Sequence, residues 1–199
     1  FSKKRMEKFD EKKPGFWASL SRDRDDYIHH LRSALFHEAA QDNVVIVGRG
    51  AMAIFANIPD LLSIRLISPL PIRIERVKSY YHCDGKRAKQ IIERSDADRE
   101  GFHRYFFDMN WNDPSHYLLT LNMGHLHPSI AAAQVKMLCE RVVSEESDKK
   151  SRQMISALVL GQKVVDKILY EDAIPIHFLE ANVTGDDVVL LGVASSQAS

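Results

Sequence analysis

Four consecutive β-branched residues, Val44-Val45-Ile46-Val47, run without a polar interruption and stop at Gly48-Arg49-Gly50. A run without alternation suits a strand buried on both faces, and such strands belong to parallel sheets covered by helices. The flanking segments alternate as that sheet requires. Upstream, Tyr27, Ile28, Leu31, Leu35, Phe36 and Ala39 recur at helical spacing from Asp25, and Gln41-Asp42-Asn43 ends the run. Downstream come a short helical segment from Ala51 to Phe55 and a turn from Asn57 to Pro59. Ser63-Ile64-Arg65-Leu66-Ile67 then predicts a second strand ended by Pro69, and Pro71 suits the first turn of a helix running through Arg76. Tyr117 to Asn122 predicts a third strand and Ser129 to Val143 a closing helix. Strand, helix, strand, helix, strand, helix implies an α/β fold: a parallel sheet in three layers with flanking helices.

The ends differ from this pattern. Phe1 to Pro14 mixes Lys and Arg with Glu and Asp and carries no sustained apolar stripe, so it reads as a solvated helix or linker. Because the first residue is Phe1 rather than Met, the chain reads as part of a longer product. Ser144 to Lys150 is polar and reads as a linker. Beyond it, Met154, Ile155, Leu158, Val159, Val164, Val165, Ile168 and Leu169 predict one amphipathic helix. Ile174 to Val183 and Asp187 to Val193 predict two strands about Thr184-Gly185-Asp186. The expected organisation is therefore a main domain over 1–143, a linker over 144–150 and a small acidic αββ (α+β) module over 151–199.

Charge narrows the function classes. Lys and Arg number 27 and Asp and Glu 27, so the formal net charge is zero. That balance argues against a nucleic-acid partner, which calls for a basic excess. The neutral total hides a locally basic helical region: nine basic residues stand against six acidic ones between Arg73 and Arg104. No run approaches the roughly 20 apolar residues of a membrane span. Cys83 and Cys139 form neither a CxxC nor a disulfide framework, so a reducing cytoplasm is the expected compartment.

Gly48-Arg49-Gly50 would sit at the C-terminal end of its strand, where open α/β sheets bind ligands. Glycines admit close backbone approach and Arg49 offers a planar fork for phosphate, but the tripeptide alone reads first as a tight turn with a surface Arg. Asp96 and Arg99, three apart, share a helical face and read either as an ion pair on a solvated helix or as site residues. Arg87, Arg94 and Arg104 read as solvated charges. His29-His30, His82-Cys83 and His125-x-His127 lack four convergent donors, so no metal site is expected, and His125 and His127 read as the loop capping the Ser129 helix. No G-x-S-x-G or HExxH string occurs. Trp17 and Trp111 read as packing anchors, and Phe102, Tyr105 and Phe106 as core.

Taken in order, these pieces resemble the cytidylate kinase-like family, a branch of the nucleoside monophosphate kinases, over roughly Asp25 to Val143. The likeness rests on Asn43 to Gly50, on Ile64 to Pro69 followed by Arg73-Ile74-Glu75-Arg76, on Asp96-Ala97-Asp98-Arg99, and on Trp111 to Tyr117 before the strand ending at Asn122. The C-terminal αββ segment bears a weaker likeness to an incomplete BON-type module. The resemblance implies transfer of the γ-phosphoryl group of ATP to a nucleoside monophosphate, CMP foremost, with Mg²⁺ bridging the donor phosphates. By the same resemblance Gly48, Arg49, Gly50 and Asp96 would hold the acceptor nucleotide, and Arg73, Arg76 and Arg99 would face the phosphates. The partners implied are nucleotides, with a homo-oligomer left open.

Two departures temper that expectation. No G-x-x-x-x-G-K-[ST] string is present, and Gly85-Lys86 is followed by Arg87. In the family this loop follows the first strand, which would lie upstream of Phe1, so the P-loop kinase-like fold is expected without its first strand and phosphate loop. The family also commonly places an Asp after the Tyr of the last motif, where this chain has Leu118. An alternative therefore stands beside catalysis: a non-catalytic nucleotide-sensing or assembly protein on a degenerate kinase fold.

Overall fold

A computed structural model describes residues 22–194, and these fall into two compact units. One is discontinuous, formed by 22–59 together with 145–194; the other is 60–144. The chain before Asp60 thus groups with the C-terminal segment from Glu145 onward.

In the discontinuous unit, α1 (Arg22–Ala39) buries Tyr27, Leu35, Phe36 and Ala39, the apolar stripe its spacing predicted. It ends where Asp42 and Asn43 take left-handed backbone angles (φ 64° and 50°), a conformation short polar side chains tolerate. A short helix α2 (Ala51–Ile54) follows, and Phe55 closes against Phe36 with ring centroids 5.7 Å apart.

The run Val44 to Val47 is a correction. It is not a buried strand: no strand among the described residues pairs with it, and Val45 and Val47 are 91% and 87% exposed. β-branched composition favours an extended backbone, but burial needs a neighbouring ladder and a covering helix, which no described strand supplies.

The unit over 60–144 carries β1 (Ile64–Ile67) paired in parallel with β2 (Leu119–Asn122), in register Ile64 to Leu119 and Ile67 to Asn122. The crossover that a parallel pair requires is made by α3 (Leu70–Tyr81) and α4 (Gly85–Phe107), which pack on each other. Pro71 lies in the first turn of α3, as its fixed φ predicts. Asp84 caps α4, its carboxylate accepting from the Arg87 amide at 2.7 Å. Phe102 and Phe106 are buried with Ala88 and Ile92 as expected, whereas Tyr105 between them stays partly exposed. His127 caps α5 (Pro128–Val142), as the loop reading anticipated. Three layers around three strands were expected; the described residues give a two-stranded parallel sheet, whose Leu66 and Ile67 remain exposed.

The segment read as a linker is helical from Glu145, where α6 (Glu145–Asp166) begins with three acidic residues in its first turn. α6 passes through a π-helical turn over Lys167–Glu171 and leads into β3 (Ile176–Thr184) and β4 (Asp187–Ala194), an antiparallel hairpin. Its turn is Gly185-Asp186, one residue inside the predicted one. A bulge interrupts the ladder between His177 and Glu180, where Phe178 takes φ 53°. α6 lies close on β3 because Gly161 has no side chain: a Cβ there would run into the Ala181 carbonyl oxygen. Phe1 to Pro14, Trp17 and the last five residues lie outside the described residues.

Candidate functional site

The site grows from the C-terminal ends of β1 and β2, the edge at which parallel sheets present ligands. Pro69 ends β1 and caps α3, so Arg73 and Arg76 leave the helix in its first two turns. Arg73 forms a two-pronged ion pair with Asp96 of α4: Nη1 donates to Oδ2 at 2.8 Å and Nη2 to Oδ1 at 2.7 Å. Both side chains are about one-third exposed, and the Asp96 hydrogen bonds push the Arg73 guanidinium above its ordinary pKa. Arg99, one turn along α4, brings Nη1 to 3.8 Å from Asp96 Oδ1.

Asp96, Arg73 and Arg99 therefore form one cluster in which a single carboxylate serves two guanidiniums. The carboxylate fixes the plane of Arg73. Arg76 donates from Nη2 to the Met123 carbonyl at 2.7 Å, tying α3 to the loop after β2. That loop is drawn tight: the Gly124 amide donates to Asn122 Oδ1 at 3.0 Å, and a Cβ on Gly124 would stand 2.5 Å from Pro69 Cδ.

Gly48-Arg49-Gly50 belongs to the discontinuous unit. All three residues have left-handed backbones (φ 75°, 59° and 66°), and the Ala51 amide donates back to the Gly48 carbonyl at 3.2 Å. The glycines are required by those angles, and Arg49 holds its own at a steric cost. Its strand-end placement lapses with the strand itself.

Arg94 and Arg104 make exposed pairs with Asp98 and Glu100 one helical turn away, the solvated reading of the sequence. Leu118 is exposed at the entry to β2, its amide bonded to the Ser63 carbonyl at 2.9 Å.

Sequence reasoning missed Arg65. Its guanidinium lies 4.7 Å over the Trp111 ring and 5.3 Å from Tyr117, donating to the Trp111 carbonyl at 2.8 Å and Asn112 Oδ1 at 2.6 Å. Trp111 is thus an anchor, held by a cation–π stack. The available signal was a lone Arg inside an apolar strand. Arg65 lies at the N-terminal end of β1, opposite the ligand edge, so it staples the 111–117 loop.

Chemically, the cluster can receive a phosphate or another dianion. Donor-side chemistry has no counterpart: among the described residues no group of three or more His, Cys, Asp or Glu could hold a metal, and the Asp96 carboxylate is engaged by Arg73. The sequence given shows no G-x-x-x-x-G-K-[ST] string of the kind that cradles ATP phosphates. No described helix is long and apolar enough to cross a membrane.

Comparison with known proteins agrees with this picture at the level of family. No curated protein matches the chain. A crystal structure of an uncharacterized protein from Eubacterium ventriosum ATCC 27560 superposes with a TM-score of 0.53 at 20% identity, over 61% of this chain and 66% of that one, a likeness of fold. The chain thus spans just under two-thirds of that protein. The profile of the cytidylate kinase-like family matches residues 1–125, more than half of the sequence, and the protein belongs to that family.

Proposed function

We propose that the chain carries the acceptor side of a nucleotide kinase-like protein, binding a nucleoside monophosphate, CMP foremost, through its phosphate. The observation that carries the reading is the Arg73–Asp96–Arg99 cluster beside the C-terminal end of a parallel strand pair. Phosphoryl transfer asks a protein mainly to position charges and neutralise them, and an Arg plane held by a carboxylate costs little reorganisation when a phosphate arrives. Family membership supports kinase-like chemistry in general. By family likeness alone, Arg49 is proposed to contact an acceptor nucleotide, and ATP to be the phosphoryl donor.

A second reading is a nucleotide sensor on a degenerate kinase fold, favoured by Leu118 where the family commonly places an Asp. Calorimetry with CMP, followed by an ADP-release assay with ATP and Mg²⁺, separates them. Binding with turnover supports the kinase, binding without turnover the sensor, and absence of both overturns both. Under either reading Arg73→Ala and Arg49→Ala weaken CMP binding at least tenfold, about 1.4 kcal/mol each.

A further inference from the structure

The discontinuous unit holds a cleft whose side chains the acceptor site does not use. His30, Ser33, Ala34, His37 and Glu38 of α1 line it, together with Asp166 at the end of α6 and Tyr170 just beyond. The α1 positions fall at i, i+3, i+4, i+7 and i+8, so one continuous helical face is given over to polar lining. The cleft is open to solvent and has a volume of about 600 Å³, the size of a small-molecule site.

Two departures from ordinary helix chemistry meet there. Asp166 is the last residue of α6, where the helix dipole disfavours an anion. It is nonetheless held on both oxygens: Ser33 Oγ donates to Oδ2 at 3.1 Å, and Nε2 of the buried Gln162 donates to Oδ1 at 2.8 Å. Tyr170 is placed by the π turn, in which the Asp172 amide donates to the Lys167 carbonyl at 2.8 Å, and its ring meets His30 edge-on at 4.9 Å. Single π turns are frequent at functional sites.

The charge of the cleft is also unmatched. Along α3, α4 and α5, the acids Glu75, Glu93, Asp96, Asp98, Glu100 and Glu140 each stand 3.9 Å or closer to a Lys or Arg. Among the described residues, by contrast, Asp166 is bonded to neutral donors alone and Glu38 has no partner. No Lys or Arg lines the cleft, and Arg32, the one guanidinium on that stretch of α1, is paired with Glu180 at 2.7 Å. The donors do not converge on a point, since no group of three or more described His, Cys, Asp or Glu could hold a metal ion. An extended cation suits them.

We propose that this cleft binds a linear aliphatic diamine, with one ammonium on Asp166 and the other on Glu38. Ser33, which holds Asp166, and Glu38 are five residues apart on α1, about 7.5 Å along its axis, a span that a short dication bridges and a monoamine does not. The Tyr170 ring and the Ala34 methyl offer apolar surface to the methylene chain, and the ring face favours a cation near it.

The test is calorimetry of the 199-residue chain at low salt with cadaverine as the probe and pentylamine as the control. Cadaverine is expected to bind saturably, one per chain. Pentylamine is expected to bind about fivefold more weakly, the worth of one carboxylate–ammonium contact near water. Asp166→Asn and Glu38→Gln are each expected to weaken cadaverine by a similar factor, while Asp186→Asn at the hairpin turn leaves it unchanged. If Asp166→Asn misfolds, Glu38→Gln decides, because its side chain is exposed and supports nothing else. No saturable binding at millimolar cadaverine overturns the proposal, as would be seen were the cleft filled by the chain itself. Equal affinity for the two amines, or undiminished binding in Glu38→Gln, overturns it as well.

Discussion

Arg49 and its two glycine neighbours show how one stretch of backbone can separate stability from binding. Gly50 has φ 66°, where a Cβ costs about 1–2 kcal/mol, so Gly50→Ala is expected to lower the unfolding free energy by that amount in urea titration. Arg49 already bears a Cβ in that conformation, so Arg49→Ala adds no strain of that kind, and its expected readout is weaker CMP binding by calorimetry. His29 offers a second residue-level test. It is 3% exposed, with Nδ1 buried and unpartnered, and burial, helped by Arg32, lowers its pKa below 6.5 against the opposing pull of Asp25, Asp166 and Asp26. The unfolded chain therefore takes up the proton first. Stability is full above pH 6.5 and falls as pH drops through 6.5 toward the lowered folded value. Urea midpoints measured from neutral to mildly acidic pH should show that decline, and His29→Leu should flatten it.

At the scale of elements, caps and close approaches matter more than intrinsic propensity. Asp84 bridges the end of α3 and the start of α4 by capping the Arg87 amide; Asp84→Ala is expected to cost about 1 kcal/mol, read by thermal or urea unfolding. Gly161 is the point where α6 meets β3, and the obstacle to a side chain there is backbone rather than a movable side chain. Gly161→Ala is expected to destabilise by roughly 1–3 kcal/mol, whereas on propensity alone an alanine within a helix would be stabilising. The ion pair of Arg73 with Asp96 joins α3 to α4, but at one-third exposure its value lies in orienting the guanidinium rather than in stability.

On the scale of the whole molecule, the discontinuous unit has the most consequence. α1 lies against α6, so its packing depends on chain more than a hundred residues away. A chain ended at Ser144 is expected to bind a hydrophobic dye and lose cooperative unfolding of that unit. By itself the sequence determined the helix from Asp25, the helix begun by Pro71, the closing helix from Ser129, the strands within 63–67 and 117–122, the C-terminal hairpin, and the shared helical face of Asp96 and Arg99. These rest on periodicity, turn chemistry and short-range spacing, which are local. Only the tertiary structure decided that Val44 to Val47 stays uncovered, that Glu145 continues a helix instead of a linker, that Asp96 faces Arg73, and that Arg65 grips Trp111. Each depends on which distant segment arrives alongside, and hydrophobic pattern specifies what a segment can bury without specifying against what.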